Sequence, residues 1–573
     1  MMSKHTNWWQ NSTVYQIYPQ SFNDTNNDGI GDLQGIIEKI PYLKELGISA
    51  VWLNPVYESP LVDNGYDISN YEKINPIYGT MADFDNMLKQ FHQAGIKVIM
   101  DLVVNHTSDQ HAWFKAARQA KDAPYSDYYI WKDPAPNGGQ PNNWGSMFGG
   151  PAWEFVPERG QYYLHLFAKE QPDLNWDNPQ LRESIYTMMR FWLDKGVDGF
   201  RMDTINLISK YPAFEDGPII DNKEYASAYP GVANGPHLHE YLHEMYEKVL
   251  QDYDTMTVGE TPHTSATEAQ LFSAPERKEL DMIFQFEHMH VDYGENGRYS
   301  DVAFKLSDLR DSMVKWQYAL AGKGWNSLYL NNHDQPRLVS RFGDDRTFRK
   351  ESAKMLALVL HFQKGTPYIY QGEELGMTNV SFNELADFPD IESKNNFARL
   401  QKLGYDYPTI MKIMRMKSRD NARTPMQWDT SKNAGFTQGD PWIRVNENYQ
   451  TINAAEAMQD RESIFNFYKQ LIRLRKTLPI IEKGSFEQVE DNDSSVFSYL
   501  RQHGNQTLLV IGSFADQRIR YQVPTKLQGK KGRLVLSTYE PVDETSLATK
   551  TNTSLKETLY LKPYEGVVYI IND

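Results

Sequence analysis

Eight short apolar runs, most of them followed by a segment with helical spacing, constrain this chain more than any other feature. They read VYQIYP (14–19), ISAVWLNP (48–55), IKVIMDLVVNH (96–106), VDGFRMD (197–203), TMTVGE (255–260), MIFQFEH (282–288), NSLYLNNHD (326–334) and TPYIYQGEELG (366–376). Near-continuous apolar strands suit a parallel sheet that is covered on both faces. LQGIIEKIPYLKELG (33–47) and MADFDNMLKQFHQAG (81–95) carry apolar residues at helical spacing and end in Gly, a helix C-terminal signal. Eight such units predict an α/β protein built on a closed (β/α)8 (TIM) barrel.

A chain of 573 residues is too long for one hydrophobic core, so further domains are expected. The barrel is assigned residues 1–104 and 176–484. Residues 105–175 are rich in Trp, Tyr, Pro, Gly and Asn with little periodicity, and are expected to form a subdomain inserted after the third strand. Residues 485–573 read as short alternating segments, SSVFSYLRQ, QTLLVIGSF, RLVLSTY and GVVYIIND, and predict a C-terminal antiparallel β-sandwich domain. The break follows RESIFNFYKQLIRLRKTLP (461–479), expected to be a helix that stops at its Pro.

The apolar runs end in polar residues: Asn105 and His106, Arg201 and Asp203, Glu260, His333 and Asp334. Barrel active sites lie at that end of the strands. Arg201 and Asp203 are two residues apart and so share one side of their strand, where the guanidinium would keep the carboxylate charged. Cleaving a glycosidic bond takes two carboxyl groups, one as proton donor and one as nucleophile or base. A Glu in a less charged setting keeps its proton and acts as the acid. A third carboxylate can stabilise developing positive charge. One isolated strand-end acid is more often a helix cap or an ion pair. Three of them, with an Arg and two His, point to chemistry.

Composition removes other classes. Asp plus Glu is 75 against 59 Lys plus Arg, a net charge of −16 that repels polyphosphate, so no nucleic-acid partner is expected. There is no cysteine, hence no disulfide framework or thiolate metal site. MMSKHTNWWQ has no apolar core of a signal peptide, and no run of about 18 apolar residues suggests a membrane span. A cytoplasmic monomer without a membrane partner is expected. An aromatic share of 13% suits sugar stacking, though large cores use aromatics too.

Several motifs carry a resemblance. DLVVNH (101–106), GFRMD (199–203), VGE (258–260) and NNHD (331–334) resemble, in order, the four main sequence blocks of the α-amylase superfamily of glycoside hydrolases. QPDLN (171–175) looks like the fifth block as found in the oligo-1,6-glucosidase group, and SRDNARTPMQW (418–428) is similar to that group as well. The resemblance covers nearly the whole chain. It implies a retaining mechanism with Asp203 as nucleophile, Glu260 as general acid/base and Asp334 as transition-state stabiliser. It also implies that Asp63, Tyr66, His106, Arg201, His333 and Arg419 line the subsite for a terminal glucose. Phe167 would pack on the sugar ring or serve the core of the insertion. Members of the group are exo-acting on short α-glucosides, and the segment 377–417 resembles the region that narrows their pocket mouth.

In that group the residue after the nucleophile varies with linkage, and enzymes specific for α-1,6 bonds usually have Val. Thr204 is nearly isosteric with Val but adds a hydroxyl, which would favour a differently placed leaving sugar. A lean towards α-1,4 substrates such as maltose and maltooligosaccharides is therefore expected. The alternative is an oligo-1,6-glucosidase acting on isomaltose and its homologues. Trehalose-6-phosphate hydrolysis would need cations near the leaving sugar. A sucrose-acting transglucosidase or isomerase would carry an RLDRD-type loop, where this chain has LVSRFGDD. A barrel that only binds sugar is disfavoured by the three retained acids.

DTNNDGIGD (24–32) sets oxygen ligands at alternate positions, Asp24, Asn26, Asp28, the Ile30 carbonyl and Asp32, with Gly29 allowing the tight turn. This resembles the first nine positions of an EF-hand loop, although position twelve is Gly35 rather than Glu. One structural Ca2+ is expected there, with Mg2+ as the alternative, as in similar loops of the same group; no organic cofactor is expected.

Overall fold

The computed structural model describes residues 6–219, 224–489, 494–540 and 553–572. All eight apolar runs are strands of one sheet: β1 (Val14–Ile17), β2 (Ala50–Leu53), β3 (Lys97–Leu102), β4 (Gly199–Met202), β5 (Met256–Glu260), β6 (Met282–Phe284), β7 (Ser327–Leu328) and β8 (Thr366–Tyr370). The order is β6-β5-β4-β3-β2-β1-β8-β7, every pair is parallel, and a bridge from Ile283 to Asn326 closes β6 on β7. β1, β2, β4 and β8 are buried at every residue, as a sheet covered on both faces requires.

Each strand is shorter than its apolar run. The polar residues at the run's end leave the ladder and form the rim. The register then decides which of them meet. Arg201 pairs with Asp101 across β4 and β3, and Met202 pairs with Gly259 across β4 and β5. Asp203 and Glu260 therefore emerge at one level. This close approach needs Gly199, whose φ is 155° and where a Cβ would stand 2.0 Å from the Met256 carbonyl oxygen.

The surrounding helices follow their sequence signals. Met81–Gln93 starts on a Thr80/Asp83 capping box, and Pro179–Lys195 is capped by Asn178 and ends at Gly196 in the left-handed region. The expected helix over 33–47 is two helices, Leu33–Glu38 and Ile40–Leu46, because Pro41 supplies no N–H to continue the first. The helix in 461–479 runs Ile464–Thr477, and Pro479 does not end the helical stretch but starts a further short helix, Pro479–Lys483. That is the position proline tolerates best.

In the insertion, Trp131–Lys132, Gln161–Leu164 and Trp153–Val156 form a three-stranded antiparallel sheet. Trp144–Gly145 pairs with Ala226–Ser227, and Trp144, Trp153 and Leu164 share a core with Leu207, Ala228 and Val232. The loop after β4 thus packs with the insertion. The C-terminal segment forms a six-stranded sheet facing a two-stranded one, Ile519–Gln522 with Thr558–Leu561, around Leu509, Ile511, Tyr521 and Leu561. Residues 490–493, 541–552 and 573 of this expected domain lie outside the described residues. Its outer face rests on helix Arg349–His361, where Tyr499 donates to the Val359 carbonyl at 2.8 Å. That helix is buried at every residue from Ser352 to His361 because the barrel covers one side and the sheet the other. No helix among the described residues is long and apolar enough to cross a membrane.

Candidate active site

Arg201 sits at the centre of the barrel rim, 1% exposed. One arm of its guanidinium donates to Asp101 and to Asp203, both at 2.7 Å, and the other donates to Glu260 at 2.5 Å. Its planar fork lets one side chain orient three carboxyls. Trp52 lies beneath, 5.0 Å from the guanidinium, and its indole N–H donates to Asp101 at 3.0 Å. The Tyr66 hydroxyl donates to the same carboxyl oxygen at 3.0 Å.

Thr204 follows in the left-handed region, at φ 39° and ψ 39°, a conformation β-branched residues avoid at a cost of roughly 1–3 kcal/mol. Its backbone N–H donates to Glu260 and its hydroxyl to Asp203, both at 3.2 Å. The hydroxyl expected to meet a leaving sugar is therefore turned to the Asp203 carboxylate. The strain holds one residue against two acids at once.

Asp334 stands apart from this group and is the most open of the three acids, with a side chain 24% exposed. Arg423 donates to it at 2.8 Å and Arg419 at 3.1 Å. His333 faces it at 3.2 Å. The Gln16 amide donates to Asn54 at 2.8 Å and lies 2.9 Å from His333 Nδ1, so Nδ1 accepts and Nε2 carries the proton. The ring stacks on Tyr66 with centroids 5.3 Å apart. Arg419 also donates to Asp63 at 2.9 Å and pairs with Asp390 at 2.8 Å, and Asp390 bridges to Arg423 at 3.0 Å. Gln171 donates to Asp63 at 3.2 Å. His106 faces the Tyr66 carbonyl at 3.2 Å, and Phe167 lies 5.1 Å from its ring and 5.5 Å from Phe148. Phe167 also borders the core of the insertion, as the second of its two readings has it.

Six carboxyls thus share three guanidiniums, and protonation follows. Burial pushes Glu260 up to about 8, opposed by Arg201 and reinforced by Asp203 and Asp334. Burial likewise lifts Asp63 to about 7 and Asp101 to about 6, against the pull of Arg419 and Arg201 respectively. Asp334 goes the other way: burial raises it, but His333, Arg419 and Arg423 together hold it well below the usual carboxylate range. Burial keeps His333 neutral, down to about 3, although Asp334 opposes it. The arrangement offers a proton donor and a carboxylate anion a short way from it.

The structure gathers Asp63, Tyr66, His106, Phe167, Arg201, Asp203, Thr204, Glu260, His333, Asp334 and Arg419 at this rim. Sequence reasoning missed Asp101 and Arg423, which stood inside the quoted motifs, and Asp390, which had no signal. The segment 377–417, expected to narrow the pocket mouth, supplies the next helix, whereas Tyr229 and His263 were missed. Helix Ile391–Lys402 meets the insertion where Asn395 donates to the Phe148 carbonyl at 2.9 Å. Tyr229 and His263 rings lie 3.9 Å apart, and Glu260 acts electrostatically on Tyr229. Four cations near the rim are paired: Arg298 with Glu392, Arg341 and Lys417 with Asp292, and Lys210 with Asp173.

The 24–32 loop lies elsewhere, between β1 and the helix that Asp32 caps. Asp24 accepts from the N–H groups of Asn26, Asn27 and Gly29 and from Thr437; Asn26 accepts from Asp28 N–H, and Asp28 from Ile30 N–H. Asp32 accepts from Thr25 and Gly35. Among the described residues, no group of three His, Cys, Asp or Glu side chains is arranged to hold a metal ion.

Comparison with known proteins agrees with this geometry. Residues 16–484 match the α-amylase catalytic domain. The oligo-1,6-glucosidase of Parageobacillus thermoglucosidasius is 54% identical, over 98% of this chain and 99% of its own. The oligo-1,6-glucosidase of Bacillus cereus is 52% identical, over 98% and 99%. The crystal structure of Bacillus licheniformis trehalose-6-phosphate hydrolase superposes with a TM-score of 0.91 at 46% identity, over 99% of this chain and 100% of that one. A barrel with three acids at its rim, matched by the catalytic-domain model over most of its length, is a glycoside hydrolase, and the chain belongs to the α-amylase family, glycoside hydrolase family 13.

Proposed function

We propose that this glycoside hydrolase is an exo-acting, retaining α-glucosidase that removes the terminal non-reducing glucose from short α-1,6-linked glucosides. Asp203 attacks the anomeric carbon while Glu260 gives its proton to the leaving oxygen. A glucosyl–Asp203 ester forms and the leaving sugar departs as an alcohol. Glu260, now a carboxylate, takes a proton from water, which attacks the same carbon and restores Asp203. Asp334 stabilises the positive charge that builds on the sugar ring. The observation that carries this reading is one guanidinium, Arg201, holding the anion and the acid on its two arms. A shared guanidinium supports the close carboxyl spacing of a retaining pair, roughly 5–5.5 Å. Asp63, Arg419, His106 and Phe167 would grip and cover the terminal glucose.

The α-1,6 preference draws on the relatives named oligo-1,6-glucosidase. The paired cations around the rim favour a neutral leaving sugar over a phosphorylated one. A second reading, α-1,4 preference, is favoured by Thr204, whose hydroxyl sits on Asp203 where relatives specific for α-1,6 bonds usually have Val. Glucose release from isomaltose, maltose and trehalose-6-phosphate separates the three. Isomaltose highest is expected; maltose well above it would establish the second reading, and trehalose-6-phosphate highest would refute the neutral leaving sugar.

The 24–32 loop is proposed to hold one structural Ca2+, or Mg2+. The donors fit: they are all hard oxygens, and three carboxylates share nine residues with no Lys, Arg or His paired to them among the described residues. Asp24, Asn26, Asp28, Ile30 and Asp32 would hold the ion, which would neutralise the loop and take no part in the chemistry.

A further inference from the structure

A cavity of about 350 Å³ opens between the insertion and the loop after β4. It is separate from the active site. Lys210 forms the partition: its ammonium donates to Asn105 at 2.8 Å and pairs with Asp173 at 2.8 Å, and Asn105 in turn lies 3.3 Å from His106. The volume is in the range of pockets that hold small ligands, ~300–1,000 Å³.

The groups facing this cavity are of both signs and several lack partners. Lys132 lies 4.4 Å from the Phe214 ring centre and has no acceptor within hydrogen-bonding distance among the described residues. Asp127 carries an exposed carboxylate in no ion pair among them, and it acts electrostatically on Arg159, which also lines the cavity. Asp177 uses one oxygen to accept from Tyr241 at 2.6 Å, and its other oxygen is free. Lys210 has a third N–H beyond its two partners. Trp176, which is buried, and Trp131, whose ring Arg159 covers at 4.1 Å, also line the cavity. A bound anion would face Asp127 and Asp177, and a bound cation would face Lys132, Arg159 and Lys210. A neutral polyol meets neither penalty, since each hydroxyl donates to one group and accepts from another.

We propose that this cavity is a second, non-catalytic saccharide site that takes a neutral mono- or disaccharide of the same class as the enzyme's product and substrate. The choice of sugar rests on the proposed function; the site itself rests on the cavity and its unpaired groups.

The test is a titration with glucose, which is not consumed, followed by tryptophan fluorescence, to which Trp131 and Trp176 contribute. It compares the full-length protein with its Asp127→Ala/Lys132→Ala variant. The expected result is two saturable steps in the parent and one in the variant, the other weakened at least tenfold. Hydrolysis at low substrate should stay within twofold, because neither residue touches the active site. Superimposable titrations would overturn the proposal. If the parent shows the step that the variant loses and no other, the second site stands and the reading of the active site falls.

Discussion

Replacing Arg201 by Lys tests whether the guanidinium fork, and not merely a positive charge, organises the acids. Arg201 makes three charge-assisted hydrogen bonds to buried carboxyls, at 2.7, 2.7 and 2.5 Å. Each such bond is worth about 1.5–3 kcal/mol. A lysine ammonium is a single point on a flexible stem and can hold one of the three at full strength. Losing the other two amounts to about 3–6 kcal/mol, on the order of 10²–10⁴ in kcat/KM. The charge survives, so the carboxylates are not left uncompensated. The fold should therefore suffer less than in Arg201→Ala, where an orphaned buried charge costs about 3–5 kcal/mol. The assay is kcat/KM on an aryl α-glucoside, with thermal melting in parallel. A Lys variant within about tenfold of the parent would refute the reasoning. So would a variant whose activity loss is matched by an equal collapse in melting temperature, since orientation would then be indistinguishable from unfolding.

Three further outcomes follow from the same geometry. Glu260 must be protonated to act as acid and is held near 8 by burial, so kcat/KM should fall on the alkaline side only above about pH 8, tenfold per unit; a limb that falls with rising pH near 5 would contradict this. Glu373 is buried with one oxygen bonded to Tyr468 at 2.7 Å and the other unpartnered, and burial raises it to about 8. Its folded value lies above its unfolded one, so the stability linked to it is complete below about pH 4.5 and is lost as pH rises through 8. Glu373→Gln should therefore lose less melting temperature than the parent between pH 5 and pH 9, and parallel curves would refute this. Chelation with EDTA should lower the melting temperature by several degrees, with recovery on adding Ca2+; no change would remove the metal from the 24–32 loop.

Much of this was legible in the sequence because strands and rim obey short-range rules. The apolar runs mark the eight strands, and the two-residue period puts Arg201 and Asp203 on one side. Asp101 could have been found in the same way: it opens DLVVNH and is itself the register partner of Arg201. Arg423 lies four residues after Arg419 and so on the same helical face. Other parts depend on contacts with no local signal. Asp390 caps helix Ile391–Lys402, and nothing local says that two arginines converge on it. The packing of the β4 loop with the insertion joins residues about 80 apart. The left-handed Thr204 is the least predictable, because a β-branched residue is the poorest candidate for that conformation. Its hydroxyl meets Asp203 as a consequence, which sequence reasoning had aimed at the leaving sugar.

The most direct test of the central claim is to trap the glucosyl-enzyme with a 5-fluoro-α-glucosyl fluoride and read the labelled peptide by mass spectrometry. The expected result is one fluoroglucosyl group per chain, on Asp203 in the GFRMD segment. A label on Glu260 or Asp334, or time-dependent turnover with no covalent label, would contradict it.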